Sequence, residues 1–404
     1  MSHTRKPPVI RIAGSVSAAA VWCGLGLLAA GCGPASKGAA GAGRPALVSA
    51  WPMFGGGPQL RGAVADAVPR DPVVAWTLEA GSRIDAGAAI AGDVVYVGCR
   101  AGTVFALALA DGRELWRRSL GGAVGGTPAV GRDALFVGCE DGEVRALDRA
   151  TGDQRWHFPT AKKVSAGPTV FSDPRTGEER VLINGYDGVA RCLRARDARL
   201  LWSYATDEPL NGSAAVVDGR FAVFGGCDAR VHVVELETGS GVAKIRTPAQ
   251  IPSSVATLGL FGYFGSYAHQ VMAVRIDGGA IAWTYEDRAF PFFGSPAVDG
   301  ARVYIGSRDK HMHAIDRVTG KAAWKFRAGG RIDGAPVVFS DAVVFGSSDG
   351  RLYAVGHGRG EILWQMDLGS SLSSASPAYA KGTLVVGTEG GVLYALRSSE
   401  ASRT

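Results

Sequence analysis

A chain of 404 residues with 58 Gly, 9 Trp and a formal charge of +6 suits two or three ordinary domains or one large all-β array of repeats. The charge lies in no long run of one sign, so composition gives no argument for nucleic acid. Six cysteines are present, none in the C-x-x-C-H spacing that attaches c-type haem.

The chain opens with Arg5, Lys6 and Arg11, then an apolar run from Ile12 to Cys32, "IAGSVSAAAVWCGLGLLAAGC". A charged segment followed by a hydrophobic one reads as a secretory leader. Its end, "LLAAGC", resembles the bacterial lipoprotein signal, in which small residues precede a cysteine that is acylated after cleavage. The usual pattern has a large aliphatic residue three places before the cysteine; here Ala29 stands there, with Leu28 one further back. The resemblance implies cleavage before Cys32 and lipid attachment to it, in preference to plain secretion or a retained anchor, so that residues 1–31 are leader. Acyl chains would hold the protein to a membrane without a spanning helix. In the sorting rule for such lipoproteins an Asp after the cysteine keeps the protein in the inner membrane; Gly33 implies the outer membrane, facing the periplasm. Loss of three basic residues and no acidic one lowers the formal charge from +6 to +3.

Residues 32–50 follow, rich in Gly, Ala and Ser and without apolar period. They read as a flexible tether whose ends lie about 20–25 Å apart.

From residue 51 to 404 one pattern dominates. "ALDRATGDQRW" at 146–156 and "AIDRVTGKAAW" at 314–324 share an Ala, an Asp two later, a Thr-Gly pair and a Trp ten residues on. Copies anchored on that first small residue begin at Ala106, Ala146, Cys192, Val233, Ala273, Ala314, Ala354 and Ala395. The steps are 40 to 46 residues, a period that marks a repeat architecture. Ten residues after the first seven anchors stand Trp116, Trp156, Trp202, Ala243, Trp283, Trp324 and Trp364, while the eighth would fall past the end of the chain.

Each copy holds four short runs, as in "TPAV", "ALFVG", "EVRALD" and "QRWHF" between residues 127 and 158, separated by Gly or Asp-Gly turns. Such runs predict four antiparallel strands, and eight four-stranded units predict an eight-bladed β-propeller. The eighth copy stops after three strands, whereas "PVVAWTLEAG" near the start carries a Trp strand that belongs to no preceding copy. Trp76 lies 40 residues before Trp116. Residues 73–79 are therefore expected to complete the last blade and close the ring, which removes its open flank.

The "AxDxxTGxxxW" pattern and the run from Ser295 to Asp316 resemble the pyrroloquinoline-quinone-type propeller repeat over residues 73–397, and "WPMFGGGPQLRG" from Trp51 is similar to the lead-in of such propellers. Eight blades on an exported lipoprotein look most like the BamB family, scaffolds of the machinery that inserts β-barrels into the outer membrane. The resemblance implies that Trp76, Trp116, Trp156, Trp202, Trp283, Trp324 and Trp364 pack between adjacent blades over Gly and small residues and do not stack on a cofactor, since one cofactor needs one site. Cys192, replacing Ala, reads as a packing residue. Cys99 and Cys139 hold equivalent places in neighbouring blades about 10 Å apart, from a strand spacing of about 4.8 Å. That separation is too wide for a disulfide, so free thiols are expected.

Quinoprotein dehydrogenases with this repeat carry adjacent cysteines, a calcium site and a catalytic Asp; adjacent cysteines are absent here and nothing marks the other two. His311 and His313 place two imidazoles on one strand face without an evident third ligand, and read as surface or inter-blade polar residues more than as a metal pair. The loops entering the inner strands carry Asp85, Gly125, Ser165, Asn211, Pro252, Phe293, Asp333 and Ser374 at one repeat position, predicted to ring one mouth of the central channel. "RID" occurs twice there, as Arg83–Asp85 and Arg331–Asp333. With Asn211 the two carboxylates could hold a cation, but turn caps or Arg pairs are the simpler expectation. One sector breaks the pattern: Ala243 replaces Trp, and "AFPFFGSP" puts Phe290, Phe292 and Phe293 in a mouth loop, either filling a packing gap or anchoring a protein. Blade three carries six extra residues in "FSDPRTGEER", a longer charged hairpin of no clear chemistry.

The sequence thus predicts a monomeric, lipid-anchored propeller that needs no cofactor or metal, is not an enzyme, and binds envelope proteins such as the β-barrel assembly complex. Candidate contacts are Phe290, Phe292, Phe293, Arg83, Asp85, Asn211, Arg331 and Asp333. The alternative is a quinone-binding enzyme or small-ligand binder using the channel mouth.

Overall fold

The computed structural model describes residues 50–287, 290–372, 374 and 376–399. The leader, Cys32 and the tether through residue 49 lie outside the described residues. Among those described, no helix is long and apolar enough to cross a membrane.

Eight four-stranded antiparallel sheets follow one another, numbered here as blades 1 to 8 in chain order. Blade 2 is typical: Ala129–Val130 innermost, then Ala134–Gly138, Glu143–Asp148 and, outermost, Gln154–Pro159. Burial falls along that series. Ala134–Gly138 is buried at every position, because both faces of the sheet meet neighbouring blades, whereas Gln154–Pro159 is exposed at alternate residues. Val, Leu and Phe without strict alternation near the axis, and alternation only at the rim, is the pattern such burial selects.

The "DxxTG" stretch forms the turn between third and outer strands. Asp148 Oδ1 accepts the N–H of Ala150 at 2.8 Å and of Thr151 at 3.1 Å. The Gly152 N–H closes the turn on the Asp148 carbonyl at 2.9 Å. Gly152 sits at φ 73°, a left-handed conformation that glycine adopts without steric penalty. Asp316 repeats the arrangement on Val318 and Thr319 in blade 6.

The tryptophans then join blade to blade. Each lies opposite the small anchor residue of its own sheet, Trp156 across from Ala146 and Trp202 across from Cys192. Each indole N–H donates to a backbone carbonyl of the next blade: Trp116 to Arg149, Trp156 to Ala195, Trp202 to Leu236, Trp283 to Arg317 and Trp324 to His357, at 2.8–3.1 Å. The turn glycine of the next blade lies under the ring; a Cβ on Gly152 would sit 2.6 Å from Trp116 Cε3.

The ring closes as the sequence predicts. Pro72–Glu79 pairs with Val392–Ser398, Trp76 facing Ala395, and becomes the outer strand of blade 8. Trp76 donates to Leu109 of blade 1 at 3.0 Å, and Trp364 of blade 7 donates to Pro69 at 2.9 Å. The inner strand of blade 1 lies against Ala378–Ala380 of blade 8.

The lead-in is more than a connector. Trp51 exchanges two backbone hydrogen bonds with Ile90 of blade 1, at 2.8 and 2.7 Å. The carbonyls of Pro52, Pro58, Gln59, Arg61 and Gly62 accept the N–H groups of Val130, Val216, Thr257, Val298 and Val338 at 2.7–2.9 Å. Residues 51–62 therefore lace the inner strands of blades 1, 2, 4, 5, 6 and 7 together from within. Backbone groups facing the channel that would otherwise need water are satisfied this way.

Candidate functional site

The connections between each outer strand and the next inner strand converge on one mouth of the channel. A cavity of about 190 Å³ opens there, and its lining includes Asp85, Gly125, Ser165, Asn211, Pro252, Phe293, Asp333 and Ser374. All eight mouth positions expected from the repeat come together. Phe54 of the lead-in also lines this cavity. Hydroxyls stitch the wall from blade to blade: Ser254 Oγ accepts the Ser213 N–H at 2.9 Å, Ser295 Oγ the Ser254 N–H at 3.1 Å, and Ser376 Oγ the Ala335 N–H at 3.1 Å.

Both mouth carboxylates are bound to arginine. Asp85 pairs with Arg83 of its own triplet and lies 3.6 Å from Arg100, whose other side meets Glu140 at 2.6 Å. Glu389 joins at 3.5 Å from Arg83, so a chain of ion pairs runs along the rim over blades 8, 1 and 2. Asp333 repeats the motif, with Arg308 at 3.1 Å and Arg331 at 3.5 Å. These pairs are solvent-exposed, so each contributes at most about 1 kcal/mol; they fix the orientation of the rim more than they stabilise the fold. Asn211 donates to Cys227 Sγ at 3.1 Å and is held inside its own sector.

The phenylalanines separate. Phe290 is 46% exposed. Phe293 lies at the cavity edge, with Tyr267 edge-on at 4.8 Å and the Arg308 guanidinium over its ring at 3.7 Å. Of the two roles expected for these rings, Phe292 takes packing and not anchoring: it is fully buried, packed 5.1 Å from His313 and close against Gly265. It therefore offers a partner no surface. A signal for this was present, because the residue before the mouth position is Ile84, Val124, Val164, Leu210, Ile251 and Ile332 in six other blades, all buried. Phe292 is the large version of a recurring core residue.

His311 and His313 do share a strand face, 6.0 Å apart. His313, Asp287 and Asp309 place ligand atoms within 4.8 Å of one another, a grouping that sequence reading missed because Asp287 lies in the preceding blade. The group is already paired: the Lys325 ammonium is 2.5 Å from Asp287, and Tyr285 meets His313 Nδ1 at 3.2 Å. Blade 4 repeats it, with His232 Nε2 on Asp228 at 3.0 Å and Nδ1 on Tyr204 at 3.2 Å. Burial lowers the His232 pKa against the pull of Asp228. In blades 2 and 3 the same turn aspartate holds an arginine four residues on, Arg145 on Asp141 and Arg191 on Asp187. The histidines thus fill a clasp that recurs between blades.

Cys99, Cys139, Cys192 and Cys227 are all free. Burial pushes the thiol of Cys139 up to about 11 and that of Cys192 up to about 12.

A family model described as "Outer membrane protein assembly factor BamB" matches residues 61–167 and 267–403. No curated protein matches the chain. Among solved structures, BamB from Moraxella catarrhalis is 20% identical with a TM-score of 0.66, covering 82% of this chain and 98% of its own. A quinohemoprotein alcohol dehydrogenase from Comamonas testosteroni is 15% identical with a TM-score of 0.72, covering 87% and 82%. A computationally designed protein, Ika8, is 17% identical with a TM-score of 0.70, covering 80% and 98%. At such identities the structural likeness establishes the propeller and leaves the activity to the site.

Proposed function

Because the chain belongs to the family described as outer membrane protein assembly factor BamB, we propose that it is a lipid-anchored, non-enzymatic propeller that faces the periplasm and binds envelope proteins. Its partner on this reading is the complex that assembles β-barrels in the outer membrane. The observation that carries it is the mouth face, where the Asp333 ion pairs with Arg308 and Arg331 border an aromatic sector of Tyr267 and Phe293, with Phe290 exposed in the same loop. A second chain of ion pairs at Arg83, Asp85, Arg100 and Glu140 orients the rim over blades 8, 1 and 2. Aromatic and arginine side chains held in place beside a polar rim are the chemistry of a protein contact.

The quinoprotein neighbours raise the alternative of a quinone with calcium at the mouth. The residues present do not fit that pair. A calcium ion takes six to eight oxygens, but both mouth carboxylates are taken up by Arg83, Arg100, Arg308 and Arg331, whose charges oppose a dication. The cavity of about 190 Å³ also falls below the roughly 300–1,000 Å³ usual for a small-molecule site.

Affinity purification of the tagged full-length protein from native membranes tests this reading. Recovery of barrel-assembly components supports it; recovery of none, together with uptake of quinone and calcium that Asp85→Ala abolishes, sinks it. The anchor is tested separately. Cys32→Ser should release the mature protein from the membrane, and a membrane-bound variant would contradict acylation there.

A further inference from the structure

On the face opposite the mouth, between blades 2 and 3, lies a cleft of about 340 Å³. It exists because blade 3 alone has a long first turn: six residues separate Thr169–Ser172 from Glu179–Asn184, against two or three in the other blades. That turn is firmly built. Asp173, buried, accepts the N–H groups of Arg175 at 2.8 Å and Thr176 at 3.1 Å, and its side chain pairs with Arg180. Gly177 takes φ 68° and closes the turn on the Asp173 carbonyl at 2.8 Å.

Four guanidinium groups from three separate segments line the cleft: Arg132, Arg155, and Arg194 with Arg196. Arg155 and Arg194 are each held by a carboxylate, Asp148 and Asp197. Arg132 has no ion pair among the described residues; its Nη2 donates to the Gly177 carbonyl at 3.0 Å and the Ser172 hydroxyl at 3.4 Å. The Arg196 side chain is 72% exposed, with its nearest carboxylate oxygen, on Asp197, 3.8 Å away. Of the lining carboxylates, Glu179 turns back to accept the Arg132 backbone N–H at 2.9 Å. Glu178 stands 3.9 Å from both Arg180 and Arg194. Asp133 is exposed at the lip.

We propose that this cleft binds a phosphate-bearing anion, with Arg132 and Arg196 presenting their guanidinium forks to it and Arg155 and Arg194 lending charge from behind. Planar guanidinium donors match phosphate oxygens in pairs, and these two have donors not committed to a carboxylate. The hairpin that looked chemically silent in the sequence is the wall that turns surface arginines into a concave site. The proposal is independent of the protein-binding role assigned to the mouth. Its ligand is either a free phosphate compound or a phospholipid headgroup.

Calorimetric titration of the full-length protein with sodium pyrophosphate, and separately with dihexanoyl phosphatidylglycerol below its micellar concentration, reads the two sources; dihexanoyl phosphatidylcholine serves as the zwitterionic control. At least one anionic probe should bind with a Kd below about 1 mM. The double variant Arg132→Ala, Arg196→Ala should weaken it tenfold or more. Arg196→Ala alone, which leaves the hairpin hydrogen bonds intact, should weaken it severalfold, and Arg359→Ala, another exposed arginine on the same face, should leave it unchanged. Binding of pyrophosphate alone assigns a free compound, and binding of phosphatidylglycerol alone a headgroup. Failure of both probes to bind, or equal loss in Arg359→Ala, would overturn the proposal.

Discussion

The ring's cohesion is assigned to indoles packed on turn glycines, and two glycines at the same repeat position separate that contact from backbone effects. Gly152 and Gly279 both adopt left-handed backbone, at φ 73° and 63°. An alanine at either pays about 1–2 kcal/mol for that conformation, with any unfolded-state gain common to both. Their surroundings differ. A Cβ at 152 would lie 2.6 Å from Trp116 Cε3 and 2.8 Å from Cδ2, whereas at 279 it meets only the Ala243 Cβ at 3.7 Å. The Trp116 ring is 8% exposed and tied by its N–H to Arg149 at 2.9 Å, so it cannot retreat freely. Overpacking then adds about 1–3 kcal/mol. Gly152→Ala should therefore cost about 2–5 kcal/mol and Gly279→Ala about 1–2 kcal/mol. Urea unfolding followed by tryptophan fluorescence measures both. Equal destabilisation of the two variants would refute the claim that the indole contact, and not the turn backbone, joins the blades.

Gly62 of the lead-in has φ 64°, and a Cβ there would sit 2.7 Å from the Ala297 Cβ. Gly62→Val should thus lift the lace, and hydrogen exchange should speed at Val298 and Val338 while Val181 stays protected; unchanged exchange would contradict the lacing role. Asp309, held by His313 and the His311 N–H, has its carboxyl lowered to about 2. A depressed carboxylate contributes stability above its unfolded pKa that is lost as pH falls through the folded value. Asp309→Asn should therefore cost about 2 kcal/mol at pH 7, with the difference from the parent fading between about pH 4 and pH 2; a pH-independent gap would count against it. Thiol labelling at pH 8 should reach Cys227, which is half-buried, well before Cys139 and Cys192, whose burial disfavours the thiolate; labelling of Cys192 first in the folded protein would refute this order.

Most of the architecture was legible because a propeller writes its geometry into a period. The anchor residue, the turn Asp, the Thr-Gly pair and the Trp each answer to one contact made over and over, and Trp76 announced the closing strand by being in step with Trp116. The mouth positions followed from the same count. What the period hid were contacts between copies and departures of size. Asp287 meets His313 only because blades 5 and 6 are adjacent, and "WPMFGGGPQLRG" lies outside the repeat, so nothing in its letters told that its carbonyls bridge six inner strands. Phe292 was grouped with the candidate contacts because its bulk drew notice, while its position, one step before the mouth and aliphatic in six other blades, marked it as core.

The protein-binding claim is tested most directly by a photoreactive residue placed at Phe290 of the full-length protein in living cells, with one at Val318, 74% exposed on the opposite face, as control. A component of the barrel-assembly complex crosslinked from position 290 and absent from 318 is the predicted result. No protein adduct at 290, or the same adducts at both positions, would contradict a docking role for the mouth face.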